Sequence, residues 1–401
     1  MQSDSRRSFL KKVSLGTGLA AGVGPLAAAE EKIIQGFDDT KTTQVKEKVW
    51  TPVSDHKVKV GIVGYGVCRF GAAFGFQNHP NVEIVAVSDL FQDRCDTLAK
   101  ICKCETKYPS LEELVKDDNV EAVFVATDAP SHAQHCIEVL NHGKHVACAV
   151  PAVYGKMEDG DRLYEAVKKS GLNYMLFETS CYRSDTYAMR TLYEAGLMGD
   201  IIYAEGEYYH YMPTPIDSFR GWRIGMPPQL YPTHSNAYLT GVSGESFTEV
   251  SCMGIPCKHI KDFDPKNNAY KNPFGTEVAL FRNSGGGSSR MVVSWDTPGY
   301  HGEVGRVRAS KGSMTGTAFQ GVDDIPKDID LRKPPIPPTM PAGGHGGSHG
   351  YLCEEFITSI LEKRVPKVHI AHALNMSMSG IVAHESAMRD GETMKIPQWT
   401  L

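Results

Sequence analysis

The residues best suited to chemistry in the first half of the chain are a glycine turn and a carboxylate. Gly64, Tyr65 and Gly66 follow a short β-rich segment and lead into a predicted helix, and Asp89 ends the next predicted strand. Glycines in such a turn allow a pyrophosphate to approach the backbone, and the helix N-terminus presents N–H donors to it. A carboxylate at Asp89 can accept hydrogen bonds from adenosine ribose hydroxyls. The pattern therefore predicts a dinucleotide site that favours NAD over NADP.

One position departs from the usual glycine pattern. The third glycine of G-x-G-x-x-G would fall at position 69, which is Arg69, and the next glycine is Gly71. We interpret this as a small insertion in the turn. Arg94 lies soon after Asp89 and could face a 2′-phosphate, so NADP stays open as an alternative. The competing interpretation is a glycine turn in an α/β sheet that binds no nucleotide.

The elements that must position this turn alternate between strands and helices. Alternation of this kind predicts a parallel, doubly wound sheet, and we assign residues 57–180 to an α/β Rossmann domain. The predicted strands are Lys57–Val63, Val82–Val87, Ala122–Ala126 and His145–Ala149. The predicted helices are Arg94–Ile101, Leu111–Val115, His132–Asn141 and Glu158–Ser170.

The remainder of the chain, residues 181–401, has a different pattern. It predicts an α+β domain with an open, mostly antiparallel sheet, followed by a Pro- and Gly-rich connection over 325–347 and C-terminal helices. The predicted strands are Ile201–Tyr211, Phe247–Met253, Thr276–Phe281, Ser289–Asp296 and Val304–Ala309, and the predicted helices are Tyr351–Glu362 and Ala371–Arg389.

The N-terminus carries an export pattern. Ser5 to Lys11 include the pair Arg6-Arg7, an apolar stretch follows from Val13, and Ala27-Ala28-Ala29 fits an A-x-A cleavage site. We predict a twin-arginine signal peptide over 1–29, an extended arm over 30–56, and a periplasmic or secreted protein. This route would suit an enzyme that has bound its cofactor before it is exported.

Composition narrows the possible partners. The 401 residues have a formal net charge of −5 and no basic patch, so we expect no nucleic acid partner. After the signal no apolar run is long enough to span a bilayer. The 10 cysteines form no metal-binding pattern, and we expect no metal and mainly small core residues, with one or two disulfides possible in an oxidising compartment.

The chain resembles the Gfo/Idh/MocA oxidoreductase superfamily from about Lys57 to its end. The resemblance rests on Gly61–Gly66, Val125–His132, Gly143–Pro151 and the closing Ile381–Ser386 helix. It implies a Rossmann domain, a sheet domain that shapes the substrate site, and a homo-oligomer, dimer or tetramer, that makes contacts through the open sheet.

Two departures point to one branch of that superfamily. The usual Glu-Lys-Pro is Ala149-Val150-Pro151, so the dehydrogenase lysine is absent, and Leu230 replaces the aspartate that usually precedes His234. The NAD-dependent N-acetylgalactosaminidases are similar at Val150-Pro151 and at Tyr231-Pro-Thr-His234. They are also similar at Cys181-Tyr182-Arg183 and at the glycine-rich Gly343–Gly347.

The resemblance assigns roles to residues of this chain. His234 is the candidate base for a hydroxyl proton, since a neutral imidazole accepts a proton near neutral pH, and Tyr182 is a candidate second acid–base group. The alternatives are a structural histidine in a turn and an aromatic wall. The remaining substrate-binding candidates are Tyr231, Arg183, Arg220, Trp222, Arg223 and His345, and those for the cofactor are Thr127, His132 and Pro151.

Three functions remain possible at this point. The first is a redox-assisted glycosidase that oxidises sugar carbon 3 transiently and cleaves by elimination. The second is an ordinary NAD(P)-dependent sugar or polyol dehydrogenase. The third is a non-catalytic sugar-binding protein that retains NAD as a structural element. The identity of the sugar and its anomer stay open.

Overall fold

The computed structural model describes residues 49–401. The predicted signal peptide and residues 30–48 of the predicted arm lie outside the described residues. Residues 49–57 contain no helix or strand. Among the described residues, no helix is both long and apolar enough to cross a membrane.

The N-terminal half contains six parallel strands in the order β3-β2-β1-β4-β5-β6. The chain order reverses between β1 and β4, and ligands of doubly wound sheets bind outside the carboxyl ends of the strands at such a point. The strands are β1 (Val58–Val63), β2 (Val82–Ser88), β3 (Lys107–Tyr108), β4 (Ala122–Val125), β5 (His145–Cys148) and β6 (Tyr174–Leu176).

Helices cover this sheet as βαβ crossovers require. They are α1 (Phe70–Ala73), α2 (Gln92–Cys102), α3 (Leu111–Leu114), α4 (His132–Asn141) and α5 (Met157–Ser170). Ser110 caps α3 by accepting a hydrogen bond from the Glu113 backbone N–H, and Gly171 ends α5 in the left-handed conformation. Short 3₁₀ helices lie at Phe76–Asn78, Ala129–Ser131 and Thr179–Tyr182.

The C-terminal half is built on an eight-stranded sheet in the order β13-β12-β11-β7-β10-β9-β8-β14. All neighbouring pairs are antiparallel except β7 and β10, which are parallel. The strands are β7 (Ile201–Tyr209), β8 (Phe247–Pro256), β9 (Phe274–Asn283), β10 (Ser288–Ser294), β11 (Gly302–Ala309), β12 (Gly312–Thr315), β13 (Ala318–Gly321) and β14 (Met394–Lys395). The fold class expected from the sequence is confirmed.

The helices of this half are α6 (Ser184–Glu194), α7 (Thr233–Ser243), α8 (Gly344–Gly347), α9 (His349–Leu361) and α10 (Ile370–Ala387). Short 3₁₀ helices occur at Phe219–Gly221, Pro228–Leu230 and Lys261–Phe263. Helix α7 was not expected from the sequence. Nine of its eleven residues are buried, so it shows none of the one-sided periodicity that identifies a surface helix.

The two sheet regions share a core. Helix α9 follows β13 of the second sheet in the chain, yet its Phe356 packs 6.0 Å from Phe177, which directly follows β6. Phe76 and Phe124 complete this cluster, with ring centroids 5.6 Å and 5.0 Å from Phe177. The C-terminal helices therefore complete the core of the Rossmann domain, which holds the carboxyl end of its sheet against the second domain.

Candidate active site

The glycine turn after β1 has the close packing that a dinucleotide site requires. Gly64 has φ +101°, and a Cβ added there would lie 2.3 Å from the Ala126 carbonyl oxygen. A Cβ on Gly71 would lie 2.3 Å from the Gly64 carbonyl oxygen, so Gly71 makes the close helix–strand contact expected of a third glycine. Arg69 adopts a left-handed φ of 53° immediately before α1. The two extra residues are thus accommodated within the turn.

Asp89 lies beside this turn and is held in place by backbone groups. Its Oδ2 accepts the Tyr65 backbone N–H at 2.7 Å, and its Oδ1 accepts the Phe91 backbone N–H at 2.9 Å. Helix α1 has only four residues, so its dipole adds little. A pyrophosphate here would be bound by individual N–H groups of the turn.

A cavity of about 510 Å³ runs along the carboxyl ends of β1, β2 and β4. The predicted cofactor residues Gly64, Gly66, Asp89, Thr127 and His132 line it, as does Arg94, whose guanidinium lies 4.5 Å from the centre of the Phe91 ring. The cradle at Gly64 and the carboxylate at Asp89 fit NAD. Tyr65 and Pro151 are not among the lining residues.

Pro151 instead contacts the cavity wall through His132, which lines the cavity. His132 Nδ1 lies 2.8 Å from the Pro151 carbonyl oxygen, and Nε2 lies 3.2 Å from the Thr127 carbonyl oxygen. Burial by itself lowers the pKa of His132, but neighbouring Cys148 and the two carbonyl acceptors outweigh burial and raise it to about 9. His132 therefore ties the ends of β4 and β5 together.

A second cavity of about 280 Å³ adjoins the first, near the lower end of the size range for small-molecule sites. The two share the lining residues Cys68, Phe70, Ala149, Val150, Arg223 and Tyr231. His234 and His345 also line the second cavity, with Tyr208, His210 and Trp295. A molecule held in the second cavity would therefore lie directly beside the first.

His234 is oriented by a carboxylate that the sequence patterns did not identify. Glu178, fully buried just after β6, lies with its Oε1 2.7 Å from His234 Nδ1 and also accepts the Ser180 backbone N–H at 2.8 Å. A carboxylate oxygen only accepts, so Nδ1 carries the hydrogen and Nε2 is unprotonated in the neutral ring. Glu178 thus supplies the carboxylate missing at Leu230.

The pKa values of this pair move in opposite directions. Burial disfavours the charged form of His234, but the Glu178 carboxylate outweighs it and raises the pKa of the imidazole. Burial raises the pKa of Glu178, and the His234 charge overcomes this and lowers it. The geometry stabilises an imidazolium, as a general base requires after it has taken a proton.

His345 has an equally defined tautomer. His349 Nδ1 lies 3.0 Å from the Ala73 carbonyl oxygen and must donate to it, so His349 Nε2 accepts the hydrogen bond from His345 Nδ1 at 2.8 Å. Nε2 of neutral His345 is therefore unprotonated. Its ring lies nearly parallel to that of His234, with centroids 6.3 Å apart.

Burial lowers the pKa of His345, and a charge on His234 lowers it further. The two imidazoles consequently disfavour being protonated together. One cavity thus contains two proton acceptors that can alternate in charge.

Aromatic side chains form the walls of the second cavity. The Tyr208 ring lies 4.7 Å from that of His234, and Trp295 packs 5.5 Å from Tyr208. Tyr208 also lies with its hydroxyl 3.1 Å from His210 Nδ1. Aromatic faces of this kind suit the apolar faces of a sugar ring. The sequence placed Tyr208 only within a predicted strand, and it did not identify Trp295, which lies at the end of a distant strand.

The segment after β7 contributes several predicted contacts. Arg220, Trp222 and Arg223 line the first cavity, and Arg223 also reaches the second. The Arg223 guanidinium lies 4.2 Å from the centre of the Trp222 ring. Tyr231 lines both cavities, and its ring lies 5.7 Å from that of His234. Arg223 and Tyr231 therefore lie at the boundary between the two cavities, and Arg220 and Trp222 lie in the first.

Two predicted residues lie elsewhere. Tyr182 ends a buried 3₁₀ helix, is not among the lining residues of either cavity, and has a pKa raised well above its ordinary value by burial. Arg183 donates to Glu303 Oε2 at 3.0 Å and also lies outside both linings. The 3₁₀ turn directs Tyr182 into the core, so the structure gives it no access to a substrate proton.

Known proteins provide an independent comparison. Residues 58–177 match the GFO_IDH_MocA family, described as an oxidoreductase family with an NAD-binding Rossmann fold. Glycosyl hydrolase family 109 protein 3 of Phocaeicola vulgatus is 32% identical over 163 residues, which are 38% of this chain and only 29% of that relative. A glycosyl hydrolase family 109 protein of Solibacter usitatus is 22% identical over 450 residues, covering 100% of this chain and 98% of the relative.

Solved structures agree with the fold. Levoglucosan dehydrogenase, in complex with NADH and levoglucosan, has a TM-score of 0.69 at 18% identity, covering 86% of this chain and 100% of that chain. Residues 58–177 therefore match an oxidoreductase family with an NAD-binding Rossmann fold, and the chain along its whole length is similar to a glycosyl hydrolase family 109 protein.

Proposed function

We propose that this protein is a redox-assisted glycosidase that acts on a carbohydrate with NAD as its cofactor. The observation that carries the proposal is the pair His234 and His345, two imidazoles with unprotonated Nε2 atoms in one cavity beside the cofactor cleft. The names of the glycosyl hydrolase family 109 relatives support it.

The first proton transfer belongs to His234. Bound NAD supplies a hydride acceptor that is restored within the same turnover. His234 Nε2 takes the proton of the hydroxyl on sugar carbon 3, and the Glu178 carboxylate stabilises the imidazolium that results. Val150 stands where the dehydrogenase lysine would be, so His234 is the base in its place.

We assign the second proton transfer to His345 in place of Tyr182. Oxidation at carbon 3 acidifies the hydrogen on carbon 2, and a neutral base must then remove it so that the leaving group can depart from carbon 1. Addition of water at carbon 1, return of a proton to carbon 2 and reduction of the ketone at carbon 3 would complete the turnover. His345 Nε2 is unprotonated, and burial keeps the pKa of that ring low. The His345–His349–Ala73 hydrogen-bond chain holds the ring in this tautomer.

The composition of the cavity supports elimination rather than direct hydrolysis. Ordinary glycosidases use two carboxyl groups on either side of the scissile bond. Among the described residues that line the second cavity, none is an aspartate or a glutamate. Glu178 lies behind His234, and its Oε1 is hydrogen-bonded to His234 Nδ1 and to the Ser180 N–H.

A sugar or polyol dehydrogenase is the second candidate. The similarity of this chain's fold to that of levoglucosan dehydrogenase favours this candidate. A dehydrogenase would need only His234 as its base. A panel of glycosides in heavy water distinguishes the candidates. The glycosidase should incorporate deuterium at carbon 2 of the product while free NADH stays constant. NADH that rises in proportion to product would establish the dehydrogenase, and bound NAD without turnover would leave a sugar-binding protein.

We further propose that the chain is exported by the twin-arginine route to the periplasm or beyond, and that it assembles as a homo-oligomer through the open face of its large sheet. The Arg6-Arg7 pair and the alanines before residue 30 support export. Changing Arg6-Arg7 to Lys-Lys should retain the protein in the cytoplasm, and unchanged periplasmic yield would refute this.

Exposed apolar residues on the sheet, such as Ile202 and Leu280, support assembly, which sedimentation can measure.

A further inference from the structure

Three metal-ligating side chains meet outside both cavities, where β8 and β10 end. Cys257 and His259 follow β8, and Asp296 follows β10. One potential ligand atom from each lies within 4.8 Å of the other two. Cysteine, histidine and aspartate together offer one sulfur, one nitrogen and one oxygen donor. The sequence did not reveal this group because β9 and β10 separate Asp296 from the other two residues.

The tautomer of His259 is already that of a metal ligand. Its Nε2 lies 2.9 Å from the Asp296 backbone carbonyl, which can only accept, so Nε2 carries the hydrogen. Nδ1 is therefore unprotonated, and it lies 3.8 Å from Cys257 Sγ. A backbone carbonyl that fixes the second ring nitrogen is the usual support of a metal-binding histidine.

The other two ligands are also held in place. Asp296 is buried, and its Oδ1 accepts the Thr276 hydroxyl at 2.6 Å. Only glycine fits at position 275, since a Cβ there would lie 2.4 Å from Asp296 Oδ2. Cys257 is half-buried and is anchored by its backbone N–H, which donates to the Pro273 carbonyl at 2.9 Å.

We propose that Cys257, His259 and Asp296 bind one divalent transition metal, with zinc preferred and water as the fourth ligand. Thiolate and imidazole donors favour zinc over magnesium or calcium, and three protein ligands leave one position open. The thiolate and carboxylate balance the charge of the ion. The exposure of His259 lets the ion enter from solvent.

The metal would stabilise the cavity wall. Trp295, next to Asp296, lines the second cavity and donates its Nε1–H to the Met226 carbonyl at 3.0 Å. A metal joining the ends of β8 and β10 would restrain this residue. Cysteine binds zinc as the thiolate, so binding at this site releases the thiol proton.

The test uses the full chain without a histidine tag, stripped of metal and titrated with zinc chloride in a calorimeter. We expect one zinc per chain, and a Co²⁺-loaded sample should show thiolate-to-cobalt charge-transfer absorption. Cys257→Ser and His259→Asn should each weaken zinc binding by about 100-fold. His142→Asn, which removes a histidine elsewhere, should bind zinc as the unaltered chain does.

Thermal unfolding of each metal-free variant checks that it is folded. A folded unaltered chain without saturable zinc binding would overturn the proposal. The same conclusion follows if Cys257→Ser and His259→Asn bind zinc as tightly as His142→Asn, or if cobalt shows no thiolate absorption. Because the readout is metal binding, the result is independent of the proposed glycosidase activity.

Discussion

Replacing Glu178 by glutamine should lower kcat by about 10³-fold. The hydrogen bond between Glu178 Oε1 and His234 Nδ1 is 2.7 Å long and buried, and a charge-assisted bond of this kind contributes about 2–3 kcal/mol. At 1.36 kcal/mol for each tenfold change, its loss costs about 30- to 150-fold. The glutamine amide can also donate to Nδ1, which moves the ring hydrogen to Nε2 and removes the acceptor, so the total reaches about 10³-fold.

The same variant should move the pH profile. His234 must be neutral to act as a base, and Glu178 raises its pKa above the ordinary value, so kcat/KM should rise with pH through a midpoint above about 6.5. Without the carboxylate the pKa of His234 falls, because burial remains while the largest influence that raises the pKa is removed. The acidic limb of the profile should therefore shift to lower pH in Glu178→Gln.

The stability of the pair follows from the directions of the two pKa shifts. The raised pKa of His234 contributes stability that is complete below its unfolded value and is lost as pH rises through the folded value. The lowered pKa of Glu178 contributes stability above its unfolded value that is lost as pH falls through the folded one. The whole stabilisation is present between the unfolded pKa of the glutamate and the unfolded pKa of the histidine. Glu178→Gln should therefore lower the free energy of unfolding mainly in this pH range.

Glu354→Gln is the matched control, because it alters another partly buried carboxylate paired with a histidine. Glu354 Oε2 lies 2.8 Å from His79 Nε2, and neither residue is among the lining residues of the two cavities. It should change stability with much less effect on kcat. Steady-state kinetics across pH, with unfolding measured in parallel, test the argument. An unmoved acidic limb in Glu178→Gln, or equal losses of kcat in both variants, would refute it.

Three other outcomes follow from the structure. His345→Ala should lower kcat by about 10²-fold in steady-state assays. Tyr182→Phe should change kcat little, because the phenol does not reach the cavity. A larger loss of kcat in Tyr182→Phe than in His345→Ala would restore Tyr182 as the acid–base group. Asp89→Ala should weaken NAD binding in calorimetry more than it lowers the melting temperature, and unchanged affinity would remove Asp89 from the site. Phe356→Ala should cost about 3–5 kcal/mol in denaturant unfolding, since it opens the core shared by the two halves, and a loss below about 1 kcal/mol would contradict that packing.

The sequence alone was sufficient for the fold class and for NAD as the cofactor, and it singled out the glycine turn as the candidate cofactor site. Strand and helix periods are local properties, and so is the spacing of Gly64, Gly66 and Asp89, which reflects the geometry of one βαβ unit. The insertion before Gly71 could also be inferred, because the displaced glycine is visible in the chain. His234 could be proposed as a candidate because its neighbours Tyr231 to Thr233 form a recognisable segment.

Tertiary structure alone brought the partners of these residues together. Glu178 contacts His234 across 56 positions of chain, and His349 Nδ1 contacts the Ala73 carbonyl across 276, so no local pattern contains either pair. Tyr182 shows the opposite case: its sequence neighbours suggested a catalytic role, but one turn of 3₁₀ helix directs it into the core. The chemistry of a group depends on which nitrogen carries the hydrogen and how deeply it is buried, and contacts between distant segments determine both.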